Sequence, residues 1–198
     1  QNTDIKFTTE IRGWTMQRDA VFKNGIVQGI KGSLDLNGHT LEIQGNFVEG
    51  DGNVLIHKGS LKVTGDYRIQ NVTGDGTYGQ CSGYIRMENE EDYVSVGGDF
   101  VTESDARTGS SYGSDNALTA GTMELKGNFQ QKRVQDNDSR NYDASNFNAT
   151  GTHKVIFSGE GTQTVSFESP SYSGFNDVET QNTDIKFTTE IRGWTMQR

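Results

Sequence analysis

Asp136, Asp138, Asn141 and Asp143 form the densest cluster of oxygen-bearing side chains in the sequence that could hold a hard cation. Calcium takes about six to eight oxygens, and closely spaced Asp and Asn supply several of them from one loop. No segment matches the EF-hand calcium loop or the glycine-rich calcium-binding repeat of β-helices. The same four residues also fit a plain solvated loop. Calcium is the only cofactor the sequence brings into question, and none is required. Asp51, Asp75, Glu90 and Glu91 are scattered beside Gly or Asn. Tyr112 and Tyr142 lie in polar stretches with few apolar neighbours, where an aromatic face stacks on a sugar ring or packs within its own loop. They are the candidates for ligand contact. His39, His57 and His153 have neither the spacing nor the cysteines of a zinc site. Cys81 is the one cysteine, so no disulfide forms within the chain. Asp and Glu are spread through the chain without the paired spacing of a two-carboxylate site. No catalytic residue is assigned, and the chain reads as a non-enzyme.

The elements that would carry these groups follow a recurring pattern of apolar-x-apolar-x-Gly-Asx-aromatic. It appears as Leu41-Glu42-Ile43-Gln44-Gly45-Asn46-Phe47 and as Leu61-Lys62-Val63-Thr64-Gly65-Asp66-Tyr67. It returns as Val94-Ser95-Val96-Gly97-Gly98-Asp99-Phe100 and Met123-Glu124-Leu125-Lys126-Gly127-Asn128-Phe129. The aromatics are 20, 33 and 29 residues apart, within the repeat lengths of solenoids. Apolar residues two apart face inward from one strand. Gly and Asx tolerate φ > 0, which predicts a corner, and the aromatic turns back to the core. Further strands are expected at Ser33, Leu34, Asp35 and Leu36, at Val54, Leu55 and Ile56, and over 154–157 and 163–167. Asn37-Gly38 suits a hairpin or a solenoid corner equally. Residues 104–116 and 135–148 read as long polar loops.

A longer period overlies the short one. Residues 1–18 recur letter for letter as 181–198. Residues 1–180 therefore read as one complete tandem unit, and 181–198 as the start of the next copy, completing the last rung. A tag or linker would instead be Gly/Ser-rich or Pro-rich. The expected fold is all-β, a parallel β-helix or β-solenoid with loop insertions; two β-sandwich domains of roughly 90 residues are the alternative. About seven rungs would give about 35 Å of rod per unit.

Composition agrees. Hydrophobic residues make up only 31%, and there are 25 Gly but a single Pro, Pro170. Proline removes a ladder donor, so a chain of inner strands avoids it. A net charge of −9 disfavours nucleic acid. No apolar run is long enough to span a bilayer, and no signal peptide is recognisable.

The pattern at 36–46, Leu-Asn-Gly-His-Thr-Leu-Glu-Ile-Gln-Gly-Asn, followed by Leu-Lys-Val-Thr-Gly-Asp-Tyr at 61–67, resembles large repetitive β-solenoid proteins of bacterial surfaces. These are adhesin stalks and filamentous secreted passengers. The resemblance implies an extracellular location at the bacterial cell surface and a role as spacer or adhesive surface. Its partners would be neighbouring repeats, end to end, with host or environmental glycans as a further possibility. Fold analogy also leaves open a polysaccharide-active β-helix enzyme.

Overall fold

A computed structural model describes residues 12–27, 29–106, 108, 116–134, 145–189 and 195–197. These residues are all-β. The chain climbs in rungs. The first holds β1 (Trp14–Thr15) and β2 (Ala20–Phe22). The second holds β3 (Ser33–Asp35), β4 (Thr40–Ile43) and β5 (Phe47–Val48), and the third β6 (Asn53–Leu55), β7 (Ser60–Val63) and β8 (Tyr67–Ile69). A hairpin of β9 (Asn71–Val72) and β10 (Tyr78–Gly79) projects before the fourth, which has β11 (Tyr84–Arg86), β12 (Tyr93–Val96) and β13 (Phe100–Thr102). Then come β14 (Thr122–Leu125) with β15 (Phe129–Gln131), β16 (Lys154–Phe157) with β17 (Gln163–Phe167), and β18 (Asp177–Thr180) with β19 (Ile185–Phe187). The last strand is β20 (Thr195–Gln197).

Each rung contributes to three faces. The first face orders β1-β3-β6-β11, the second β2-β4-β7-β12-β14-β16-β18-β20, and the third β5-β8-β13-β15-β17-β19. Single bridges, Met87↔Leu118 and Asn148↔Gly174, continue the line of the first face. Among the described residues, every ladder between rungs is parallel, and only the β9–β10 hairpin is antiparallel. The fold is a parallel β-solenoid. The sandwich alternative fails because its sheets are built from antiparallel neighbours.

Register explains how so few apolar residues suffice. On the second face Leu41, Leu61, Val94, Met123, Val155 and Val178 are paired rung to rung in one column. All six are fully buried. The alternating residues, Glu42, Lys62, Ser95 and Glu124, point outward. Burying each aliphatic stabilises by about 1.5–3 kcal/mol. One inward residue in two, stacked on its own kind, makes a thin continuous core.

Asn37 and Gly38, at φ 47° and 80°, turn the chain between β3 and β4, which lie on different faces. The Asn-Gly pair is therefore a solenoid corner and not a hairpin. His57 and Lys58 take the same left-handed backbone one rung later, at φ 43° and 65°. The corresponding N–H groups close back alike, His39 to the Leu36 carbonyl and Gly59 to that of Ile56.

The two copies of the repeated segment lie in different places. Thr15 pairs with Asp35 on the first face. Its counterpart Thr195 pairs with Asp177 on the second.

Candidate functional site

The corner between the second and third faces is the most regular feature of the molecule. Asn46 Oδ1 accepts the Asp66 N–H at 2.9 Å, and Asp66 Oδ1 accepts the Asp99 N–H at 2.9 Å. Asp99 Oδ1 accepts the Asn128 N–H at 2.8 Å and its Nδ2 at 3.0 Å. Asn128 Oδ1 then accepts both the N–H and the hydroxyl of Thr164 at 2.8 Å. Each Asx side chain thus caps the backbone of the rung that follows. The ladder serves stacking, because the Oδ1 of each of these four residues accepts from this chain's own next rung.

The expected reason for these residue types needs correction. None of Asn46, Asp66, Asp99 and Asn128 has φ > 0, and of Gly45, Gly65, Gly98 and Gly127 only Gly45 does, at 135°. Close approach selects the glycines instead. A Cβ on Gly65 would meet the Asn46 Oδ1 and the Gly45 backbone, and one on Gly98 the Asp66 Oδ1. A Cβ on Gly127 would meet the Gly98 carbonyl. The aromatics behave as expected. Phe47, Tyr67, Phe100 and Phe129 are buried in one column, with successive ring centroids 4.8, 5.3 and 5.7 Å apart.

Residues 146–148 depart from the loop reading. Phe147 is fully buried, 4.9 Å from the Phe129 ring and 5.6 Å from that of Phe175. The two polar stretches also share a base. Thr108 Oγ1 donates to the Ser145 carbonyl at 2.8 Å and accepts the Asn148 N–H at 2.9 Å. Asn146 Nδ2 donates to the Ser104 carbonyl at 3.0 Å. The described residues Ser104, Thr108, Ser145, Asn146 and Asn148 are therefore tied together. Tyr112, Tyr142, Asp136, Asp138, Asn141 and Asp143 all lie outside the described residues. Among the described residues, no group of three or more His, Cys, Asp or Glu could hold a metal ion.

Two buried polar groups escape a reading by motif. Glu49 is fully buried, and Tyr67 donates its hydroxyl to Oε2 at 2.5 Å, while Oε1 has no partner. Burial pushes the carboxyl up to about 8, opposed in part by the Tyr67 hydrogen bond. Burial and the neighbouring Glu49 carboxylate raise the Tyr67 phenol well above its usual value. Cys81 is buried, and its thiol is pushed up to about 12, first by burial. It is an inert thiol, far from the thiolate that a nucleophile needs. His153 is fully buried, and neither ring nitrogen has a partner. Burial drives its pKa down to about 4. Alternation could have found both groups: Glu49 is in phase with inward Phe47, and His153 with inward Val155 and Phe157.

A shallow depression of about 160 Å³ is lined by Glu90, Gly121, Thr122, Thr152 and Lys154. One carboxylate and one ammonium there do not form the paired carboxylates of a glycoside-cleaving site. No family model, curated protein or solved structure matches the chain. Among the described residues, no helix is long and apolar enough to cross a membrane.

Proposed function

We propose that the chain is a non-enzymatic structural unit, a spacer or stalk segment, of a long extracellular fibre at a bacterial surface, with copies joined end to end. The observation that carries this is the letter-for-letter recurrence of residues 1–18 at 181–198 in a chain that folds as a coil of parallel layers. A coil of this kind presents unpaired strand edges at its ends, and a following layer satisfies them. On the second face seven strands, β2 through β18, precede residue 181. At strand spacings of about 4.8 Å they amount to about 34 Å of axis per unit.

Small-angle scattering on chains of one, two and three units tests this. The longest dimension should grow by about 34 Å per unit at constant cross-section. Growth in cross-section, or release of reducing ends from polysaccharides, would count against it. A second reading, glycan binding or calcium binding by the long loops, is favoured by the hydrogen-bonded bases of those loops. It predicts glycan-array binding that is lost on Tyr112→Ala or Tyr142→Ala.

A further inference from the structure

The second copy of the repeated segment closes two of the three faces. Its Ile185–Phe187 strand pairs in parallel with β17, from Gln163↔Ile185 to Val165↔Phe187. Its Thr195–Gln197 strand pairs with β18, from Asp177↔Thr195 to Glu179↔Gln197. The Gln163 N–H donates to the Asp184 carbonyl at 2.9 Å, and the Thr188 N–H to that of Val165 at 3.0 Å. Thr189 Oγ1 accepts the Phe167 N–H at 2.8 Å, and Asn182 Nδ2 donates to the Gly161 carbonyl at 2.8 Å. Ile185 and Phe187 pack against the core. On the segment's side, every one of these contacts is made by residues within 181–198. Residues 1–18 have the same sequence.

We infer that residues 1–18 of one molecule take the place of residues 181–198 of another, so that chains join head to tail by strand exchange at the edge formed by β17 and β18. The inference rests on the end-to-end reading above and adds a partner, a second copy of this chain acting between molecules. In its own first rung the described part of the segment places one strand: β1 has two residues, paired with Leu34 and Asp35, Trp14 stacks on Phe22 at 5.8 Å, and the buried Met16 donates its N–H to the Asp35 carbonyl. At the far edge the same sequence places two strands, β19 and β20. Such a contact is heterologous, one end of each molecule meeting the other end of the next, and it propagates as an open filament unless its rotation closes a ring. The covalently attached tail competes at an effective concentration on the order of millimolar. Exchange is therefore held back in the intact chain and released when the tail is undocked.

The test uses the full chain carrying Phe187→Asp and Thr188→Pro, which removes the apolar anchor and the N–H donated to Val165. Its own Phe7 and Thr8 stay intact. The probe is a labelled peptide with the sequence of residues 1–18, against a scrambled control. The variant should bind the peptide saturably and at least tenfold more tightly than the intact chain. Without peptide it should sediment as concentration-dependent oligomers, which excess peptide disperses. A variant that keeps its β circular dichroism, stays monomeric and binds the peptide no better than the scrambled control overturns the inference. Should the variant not fold, the intact chain serves: warmed close to its melting point with peptide and then cooled, it should retain the label, and no retention overturns the inference. If tandem chains lengthen by one unit per copy while peptide never binds, exchange fails and the end-to-end reading stands.

Discussion

His153 sits among aromatic side chains, with Phe147 edge-on at 6.0 Å, and offers two ring nitrogens that nothing satisfies. A histidine whose folded pKa is depressed from 6.5 to about 4 keeps its full contribution above pH 6.5. That contribution is lost as pH falls through this window, because the unfolded chain takes up the proton first. The loss reaches about 3 kcal/mol at pH 4. Urea melts of His153→Phe should therefore show a flatter pH dependence between 6.5 and 4 than the parent. Glu49 has the opposite sign. Its folded pKa is raised from 4.5 to about 8, so its contribution is complete below pH 4.5 and is lost as pH rises towards 8. Glu49→Gln should stabilise the protein by about 3 kcal/mol at pH 7 and leave it unchanged at pH 4. Equal gains at both pH values would mean that the carboxyl is not held neutral. Neither burial was read from the sequence, although the phase of alternation would have placed both side chains inward. Their missing partners lay beyond it, because satisfaction depends on neighbouring rungs that are distant in sequence.

At the scale of the element, the corner decides how one rung sits on the next. Asp99 accepts two hydrogen bonds from Asn128. Asp99→Ala should cost about 1–3 kcal/mol in chemical denaturation, and Asp99→Asn much less, since an amide oxygen can still accept from the Asn128 N–H. Gly127→Val should cost about 3 kcal/mol or more, because its Cβ would fall on the Gly98 carbonyl. Phe129, in ring contact with Phe100, Phe147, Phe167 and Phe175, should cost about 3–5 kcal/mol on truncation to Ala. The four corners were legible as corners, and their aromatics as core. The physical role of each residue type was not. A Gly-Asx pair looks the same in sequence whether it supplies left-handed backbone or lets two layers touch, and only the stacked rungs show that contact selects Gly65, Gly98 and Gly127. Likewise, Phe147 was hidden at the end of a polar stretch, because its packing partners Phe129 and Phe175 lie on either side of it in sequence and on other rungs.

For the whole molecule, stability is a sum over layers, and an uncovered edge is its weakest part. Removing residues 181–198 uncovers β17 and β18 and should lower the melting temperature and increase self-association. Equal melting temperatures and unchanged association would remove the stabilising role assigned to the segment. Parallel layering was legible because the inward columns repeat at solenoid intervals. The placement of the repeated segment was not, since the sequence Thr-Met-Gln is found on one face at its first occurrence and on another at its second. The same residues satisfy whichever edge is open to them. The central claim, that layering runs on from one copy into the next, is tested most directly by a cryo-EM map of a two-unit chain. The account predicts an unbroken ladder of parallel strands, about 4.8 Å apart, passing through the residues that join the units. Two closed bodies connected by an unpaired stretch at residues 181–198 would contradict it.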